Sequence, residues 1–360
     1  MGSIMATSNL FLDHWRKPLA ELTHDLERAF KTSIEYGDNE YASYAAHNTV
    51  YHLFFSGASL HTLSKKAETL DLQIEKFKQD LTLKRIRLFR QTINNLVVEN
   101  GKPDILKGDI YDESILDASE VTKENEIYFQ NLYIVKLYLA LVFNNTDNAK
   151  KYAQQAEQFH ETVKGTSLYS LFYFFRSLAI ADSSINTPVK RPILKQFRKD
   201  IKELRRAQKL APQYNRHKTL LLQAEYCYLK GEMENAKIFY DKALTAATEN
   251  GMINDVAFCW ERAGQFFLNT KQDLLAVFYL QNAYTTYKRW GAMAKVKQME
   301  KRYTHLQSGK LILWHKEISE ETAHERITSL DIDTVLKASA AISGEIVLSK
   351  LLKKMMQIIS

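Results

Sequence analysis

The sequence predicts an all-α fold, a solenoid of antiparallel helical hairpins that ends in an amphipathic helix. Three observations carry that prediction. First, two segments share a period. Leu220, Ala224, Cys227, Ala236, Tyr240 and Ala243 recur forty residues later as Trp260, Gly264, Phe267, Ala276, Leu280 and Ala283. Small residues at fixed offsets let two helices approach closely, and the large ones fill the gaps beside them. Second, the 360 residues include only 5 prolines and 12 glycines, too little turn chemistry for an all-β chain. Third, apolar residues elsewhere keep helical spacing. The 19 tyrosines and 18 phenylalanines suit irregular gaps between helices.

Residues 1–9 carry no apolar stripe and are expected to be disordered. From about 10 to 36, Leu19, Leu22, Leu26, Ala29, Phe30 and Ile34 mark the first helix, which Gly37 stops. Asp38 caps a second helix that reaches Gly57. A third is expected over 59–77, and a fourth over 79–100, with Ile86, Phe89, Ile93 and Val97 on one face. Residues 101–122 form a long, irregular and partly acidic connection, of a length that is often functional or mobile. A hairpin follows over 125–165, turning at Asn144-Asn145. The stretch 168–181 is apolar almost all round, as a helix buried on every side must be. Pro188 and Pro192 break the chain before a basic helix, and Pro212 separates that helix from the two repeats. A last repeat helix follows Gly291. The domain reading is therefore a disordered 1–9, a helical-repeat domain over 10–306, a polar linker over 307–329, and two terminal helices over 330–360. The second of these carries Leu348, Leu351, Leu352, Met355, Ile358 and Ile359, an apolar stripe that asks for a second copy or a following domain.

One window explains the net charge of +7. Lys190, Arg191, Lys195, Arg198, Lys199, Lys202, Arg205, Arg206 and Lys209 face only Asp200 and Glu203, so the rest of the chain is balanced. Ile193, Leu194, Phe197, Ile201, Leu204 and Ala207 give the same helix a packing stripe, leaving the cations for water or a partner. Nucleic acid or an acidic surface is the alternative ligand of this window, but only Phe197 offers an interleaved ring. Cys227 and Cys259 sit in apolar segments as small hydrophobes, and nothing in them indicates an oxidising compartment. No apolar run reaches membrane-spanning length, since Arg176 interrupts the longest, and the N-terminus lacks a secretory pattern. A cytoplasmic location is expected.

Catalytic motifs are missing from these residues. There is no phosphate loop, no Gly-x-Gly-x-x-Gly, no kinase His-Arg-Asp or Asp-Phe-Gly, and no Gly-x-Ser-x-Gly elbow. Two cysteines without clustered histidines exclude a zinc finger or ribbon. His47 and His52, five apart, do not share a helical face; His14, His24, His61, His160, His217, His305, His315 and His324 are isolated and read as surface or capping residues. No catalytic residue, cofactor or metal ligand is assigned.

The hairpins resemble tetratricopeptide-like repeats with a longer period. The run 283–296, Ala-Tyr-Thr-Thr-Tyr-Lys-Arg-Trp-Gly-Ala-Met-Ala-Lys-Val, resembles a segment of very large bacterial signalling proteins. So does 333–348, which contains Lys-Ala-Ser-Ala-Ala-Ile-Ser. Residues 38–57, with Tyr-Ala-Ala and Phe-Phe-Ser-Gly patterns, look like the start of the same repeat region. In those proteins a serine/threonine-kinase-like domain and a STAND-type, AAA-like ATPase precede the repeats. A GAF domain and often a sensor histidine kinase of the two-component kind follow. The resemblance implies a right-handed superhelix of roughly seven hairpins whose 330–360 helices lead towards a GAF-type domain beyond Ser360. It also implies a non-catalytic segment that binds a protein or peptide ligand and couples sensing to its neighbours, with the terminal helix pairing with a second copy or the next domain. By tetratricopeptide geometry the ligand groove would be lined by Lys218, Leu221, Glu225 and Tyr228 of one repeat and by Phe258, Glu261, Gln265 and Leu268 of the next.

Overall fold

The computed structural model describes residues 2–115, 121–184 and 191–303. Among them are fourteen α-helices and no β-strand. In order they are α1 (Gly2–Phe11), α2 (Leu19–Glu35), α3 (Asn39–Phe55), α4 (Leu60–Ile74), α5 (Asp80–Val97), α6 (Glu126–Val142) and α7 (Thr146–Glu157). Then come α8 (Ser167–Asp182), α9 (Arg191–Leu210), α10 (Pro212–Leu229), α11 (Met233–Glu249), α12 (Ile253–Asn269), α13 (Asp273–Trp290) and α14 (Met293–Arg302). The expected linker and terminal helices, like Lys190, lie outside the described residues.

Local chemistry sets the boundaries. The Asp38 side chain accepts the Tyr41 N–H at 3.2 Å and starts α3. Asn145 does the same for α7, accepting from Asn148 at 3.2 Å. Pro212 sits in the first turn of α10, where a missing N–H removes no helical bond. Gly291, at φ +98°, ends α13 in the left-handed cap that glycine favours.

Two expectations about the N-terminal part need correction. Residues 2–9 are not disordered; they belong to α1, which packs on α2 and α3. Its contact face is made of small residues, Gly2 against Ser33 and Ala6 in a small cluster with Leu26, Ala29 and Ala45, so it shows no large apolar stripe. The helix expected over 10–36 is two helices, broken over residues 12–18, where Pro18 caps the start of α2. The described part of the connection after α5 is pinned. Asn95 Nδ2 donates to the Pro103 and Ile105 carbonyls at 2.9 and 2.8 Å, and Asp104 and Leu106 are buried.

Consecutive helices pack in pairs: α2 with α3, α6 with α7, α10 with α11, and α12 with α13. The last pair is closely fitted. A Cβ on Gly264 would stand 2.8 Å from Leu280 Cγ, so only glycine allows that approach. Helix α8 is buried almost throughout and contacts α6, α7, α9 and α10. The end of the array then returns to its beginning. Trp290, fully buried, donates its indole N–H to the Ala58 carbonyl at 3.0 Å. Gly57, at φ +79°, lies so close to Ile253 and Asn254 that a Cβ would collide with them. Helix α14 packs on α5. One hydrophobic core runs from Leu19 to Tyr303 as a result.

His14 and His217 were read as surface or capping residues, yet both are buried, as are His47 and His52. Burial lowers His14 to about 4 and both His47 and His52 to about 3. All three are neutral in the fold at pH 7. Below the unfolded value of roughly 6.5, the unfolded chain takes up protons that the fold refuses, so stability falls with pH down to the folded values. Each such histidine costs about 1.4 kcal/mol per pH unit over that window. We therefore predict that the melting temperature falls steadily from pH 7 to pH 5, and that His52→Asn makes the decline shallower. Thermal unfolding followed by circular dichroism across that range checks both.

Candidate functional site

The eight positions expected to line an open groove fall on α10 and α12. Lys218, Leu221, Glu225, Phe258 and Glu261 are buried, Tyr228 and Gln265 are half-buried, and Leu268 alone is exposed. The open groove is therefore corrected. This face is covered by the protein's own α6–α7 turn, α8, α13 and α14, and its charged residues are satisfied inside the chain.

Three buried charge clusters do the covering. At the first, Asp255 of α12 accepts from Lys218 Nζ at 2.7 Å and His217 Nε2 at 2.6 Å, both from α10. Burial pushes the Asp255 carboxyl up, but Lys218 and His217 outweigh it and hold it far below the usual carboxylate range. Burial lowers Lys218 against the pull of Asp255. In the second cluster, Arg262 Nε of α12 donates to Glu225 Oε1 of α10 at 2.8 Å, and the same guanidinium pairs with Asp182 at the end of α8. Burial works against the charged form of Arg262, yet Asp182 and Glu225 raise its pKa well above the ordinary value.

The third cluster centres on Glu261, which is only 2% exposed. Its carboxylate accepts from Lys295 Nζ of α14 at 2.6 Å, Tyr287 OH of α13 at 3.0 Å and Asn144 Nδ2 of the α6–α7 turn at 2.9 Å. Gln265 donates to Asn144 Oδ1 at 2.7 Å, and Gln298 Nε2 of α14 donates to the Phe143 carbonyl at 2.6 Å. Burial lowers the pKa of Lys295, with Glu261 opposing that shift. Arg262, Asp182 and Lys295 were not singled out from the sequence, and Asn144 was read only as a turn residue. Arg262 and Lys295 could have been, because each interrupts an apolar helical stripe, next to Ala263 and Val296 respectively.

Basic residues of α9 lie elsewhere. Arg191, Lys195, Arg198, Lys199, Lys202, Arg205, Arg206 and Lys209 are all exposed. At about 100° per residue they share an arc of roughly 120°, extending about 27 Å along the helix. The opposite side carries the buried Phe197, Asp200, Ile201, Leu204 and Ala207. Both acids of this helix are engaged: Asp200 accepts from Arg176 Nε of α8 at 3.1 Å, and Glu203 pairs with Arg206 at 2.6 Å. Among the described residues, no carboxylate lies within ion-pair distance of the other seven cations. Like charges recur four residues apart at Arg191/Lys195, Lys195/Lys199, Arg198/Lys202, Lys202/Arg206 and Arg205/Lys209, a repulsion that an approaching anion relieves.

Among the described residues, no group of three or more His, Cys, Asp or Glu side chains is placed to hold a metal ion, and no helix is long and apolar enough to cross a membrane. Cys227 and Cys259 are both free and buried. No protein-family model matches the chain, and no curated protein matches it.

The Glu261 cluster yields a direct prediction. Lys295→Met leaves a buried carboxylate without its cation and is expected to lose roughly 3–5 kcal/mol of stability. Combining it with Glu261→Gln removes the stranded charge, so the double variant should lose less than the two single losses together. Denaturant unfolding of the four proteins measures the coupling.

Proposed function

We propose that this chain is a non-catalytic helical-repeat scaffold that docks an acidic protein or peptide segment on α9. In this reading α10/α11 and α12/α13 are consecutive units of a tetratricopeptide-like, right-handed array. The array is the regulatory part of a multidomain bacterial signalling protein and passes partner binding to neighbouring domains. The observation that carries the docking surface is the α9 stripe: eight exposed cations on one face, seven of them without a carboxylate in ion-pair range. Such a stripe attracts an extended or helical acidic segment over a matching length, and the buried Asp200–Arg176 pair holds α9 on α8 beneath the presenting surface.

The same stripe supports a second reading, nucleic acid. A protein partner is favoured because Phe197, the helix's one aromatic residue, is fully buried. The face therefore offers phosphate contacts but no ring on which a base can stack.

The test uses fluorescence anisotropy with the full chain, a labelled glutamate-rich peptide, and a labelled single-stranded oligonucleotide of equal charge. The expected result is saturable peptide binding that weakens as salt rises and is lost in Lys195→Glu/Lys199→Glu/Lys202→Glu. All three positions are exposed and three of the five like-charge pairs become opposite-charge pairs, so the variant is expected to melt no lower than the wild type. Peptide binding unchanged in the variant removes α9 as the dock. Tighter binding of the oligonucleotide moves the assignment to nucleic acid.

A further inference from the structure

A cavity of about 540 Å³ opens between α1, α3, α5, α6 and the connection from α7 to α8. It is remote from the α9 stripe in sequence and is built differently. Most of its wall is apolar, with Leu10 and Phe11 of α1, Leu81 of α5, and Val163 and Leu168 before and within α8. Polar side chains also line it, the exposed Glu124 among them, and three of these carry an atom with no hydrogen-bond partner: Arg85 Nε, His47 Nε2 and Asn131 Oδ1. Buried polar atoms are nearly always paired, so three orphans around one cavity point to a missing occupant.

The chemistry of the occupant follows from the three atoms. Arg85 has no carboxylate within ion-pair distance among the described residues, and burial lowers its pKa. A guanidinium held against an apolar wall without a counter-ion calls for an anion, and its planar fork matches a carboxylate. His47, 6% exposed, is neutral. Its Nδ1 lies 3.2 Å from Asn48 Oδ1, which places the ring proton on Nδ1 and leaves Nε2 as an acceptor. Asn131 already donates from Nδ2 to the Ile127 carbonyl at 2.7 Å, so its free Oδ1 is a second acceptor. One cation and two acceptors in an apolar chamber fit a ligand with one acid group, a hydroxyl or amide N–H, and a hydrocarbon body.

We infer that this cavity is a binding site for a small, largely apolar carboxylic acid that also carries a hydrogen-bond donor. Arg85 takes the carboxylate, and His47 and Asn131 take the donor. Helix α1 forms one wall. It is held by a small cluster with Leu26, Ala29 and Ala45 that is separate from the main core, so it is the element whose order the ligand reports. The site is independent of the α9 dock: either can fail while the other stands.

The probe is 11-(dansylamino)undecanoic acid, which carries a carboxylate, a sulfonamide N–H and an apolar chain. Added to the full chain, it should give a saturable, blue-shifted fluorescence with one site per chain. Dodecanoic acid should displace it, and dodecanol, which lacks the charge, should do so at least tenfold less well. Arg85→Gln should weaken probe binding at least tenfold. In parallel, hydrogen exchange of the wild-type chain should slow in α1 when the probe is bound, a readout that needs no variant to fold. Absence of saturable binding, equal displacement by acid and alcohol, or unchanged affinity in a folded Arg85→Gln protein overturns the assignment. Protection that appears only outside α1 and its neighbours overturns the location.

Discussion

The carboxylate of Glu261 is the point on which the arrangement of helices turns. A charge that is 2% exposed is tolerable only with a full set of partners. Here they come from α13 through Tyr287, from α14 through Lys295, and from the turn after α6 through Asn144. Residues far apart in sequence must therefore meet at one point for the carboxylate to be satisfied. Lys295 itself is fully buried and depends on the same contact. The pair need not raise the stability above that of an apolar core of the same shape. Its effect is selective: a different packing of these helices strands both charges.

That constraint explains why Lys218, Glu225 and Glu261, on the face that resembled a ligand groove, are buried. Each has been matched by a side chain of the same protein, from Asp255 to Arg262 to Lys295. Among the described residues, seven cations of α9 have no carboxylate in ion-pair range, and three polar atoms around the cavity under α1 have no hydrogen-bond partner. Where such groups are unmatched, a bound partner would remove an unfavourable contact as well as make a favourable one.

Much of the helix pattern was legible in the sequence, because its causes are local. Asp38, Asn145, Pro212 and Gly291 act within a few residues of where they stand, and the forty-residue offset from Ala224 to Gly264 survives as two packed pairs. The apolar 168–181 stretch is the buried α8. Helix α1 was not legible, because its contact face is Gly2 and Ala6 and small residues leave no amphipathic signal. The groove was misread for a different reason. Charges at 218, 225, 261 and 262 are compatible with either a wet inner face or a set of buried pairs. The deciding partners, Asp182, Asp255, Asn144 and Lys295, lie 34 to 117 residues away along the chain. Periodicity reports which side of a helix is apolar; it carries no information on which distant residue completes a charge.

The central claim is that α12–α14 close back on the segment joining α3 to α4, as Trp290 bonded to Ala58 requires. A spin-label distance measurement tests it most directly. Labels are placed at Ser59→Cys and Arg289→Cys, both exposed positions, with Cys227 and Cys259 replaced by alanine. A closed array predicts one short, narrow distance that persists until global unfolding. A long or broad distribution under native conditions would contradict it, because it would leave Trp290 and Ala58 apart.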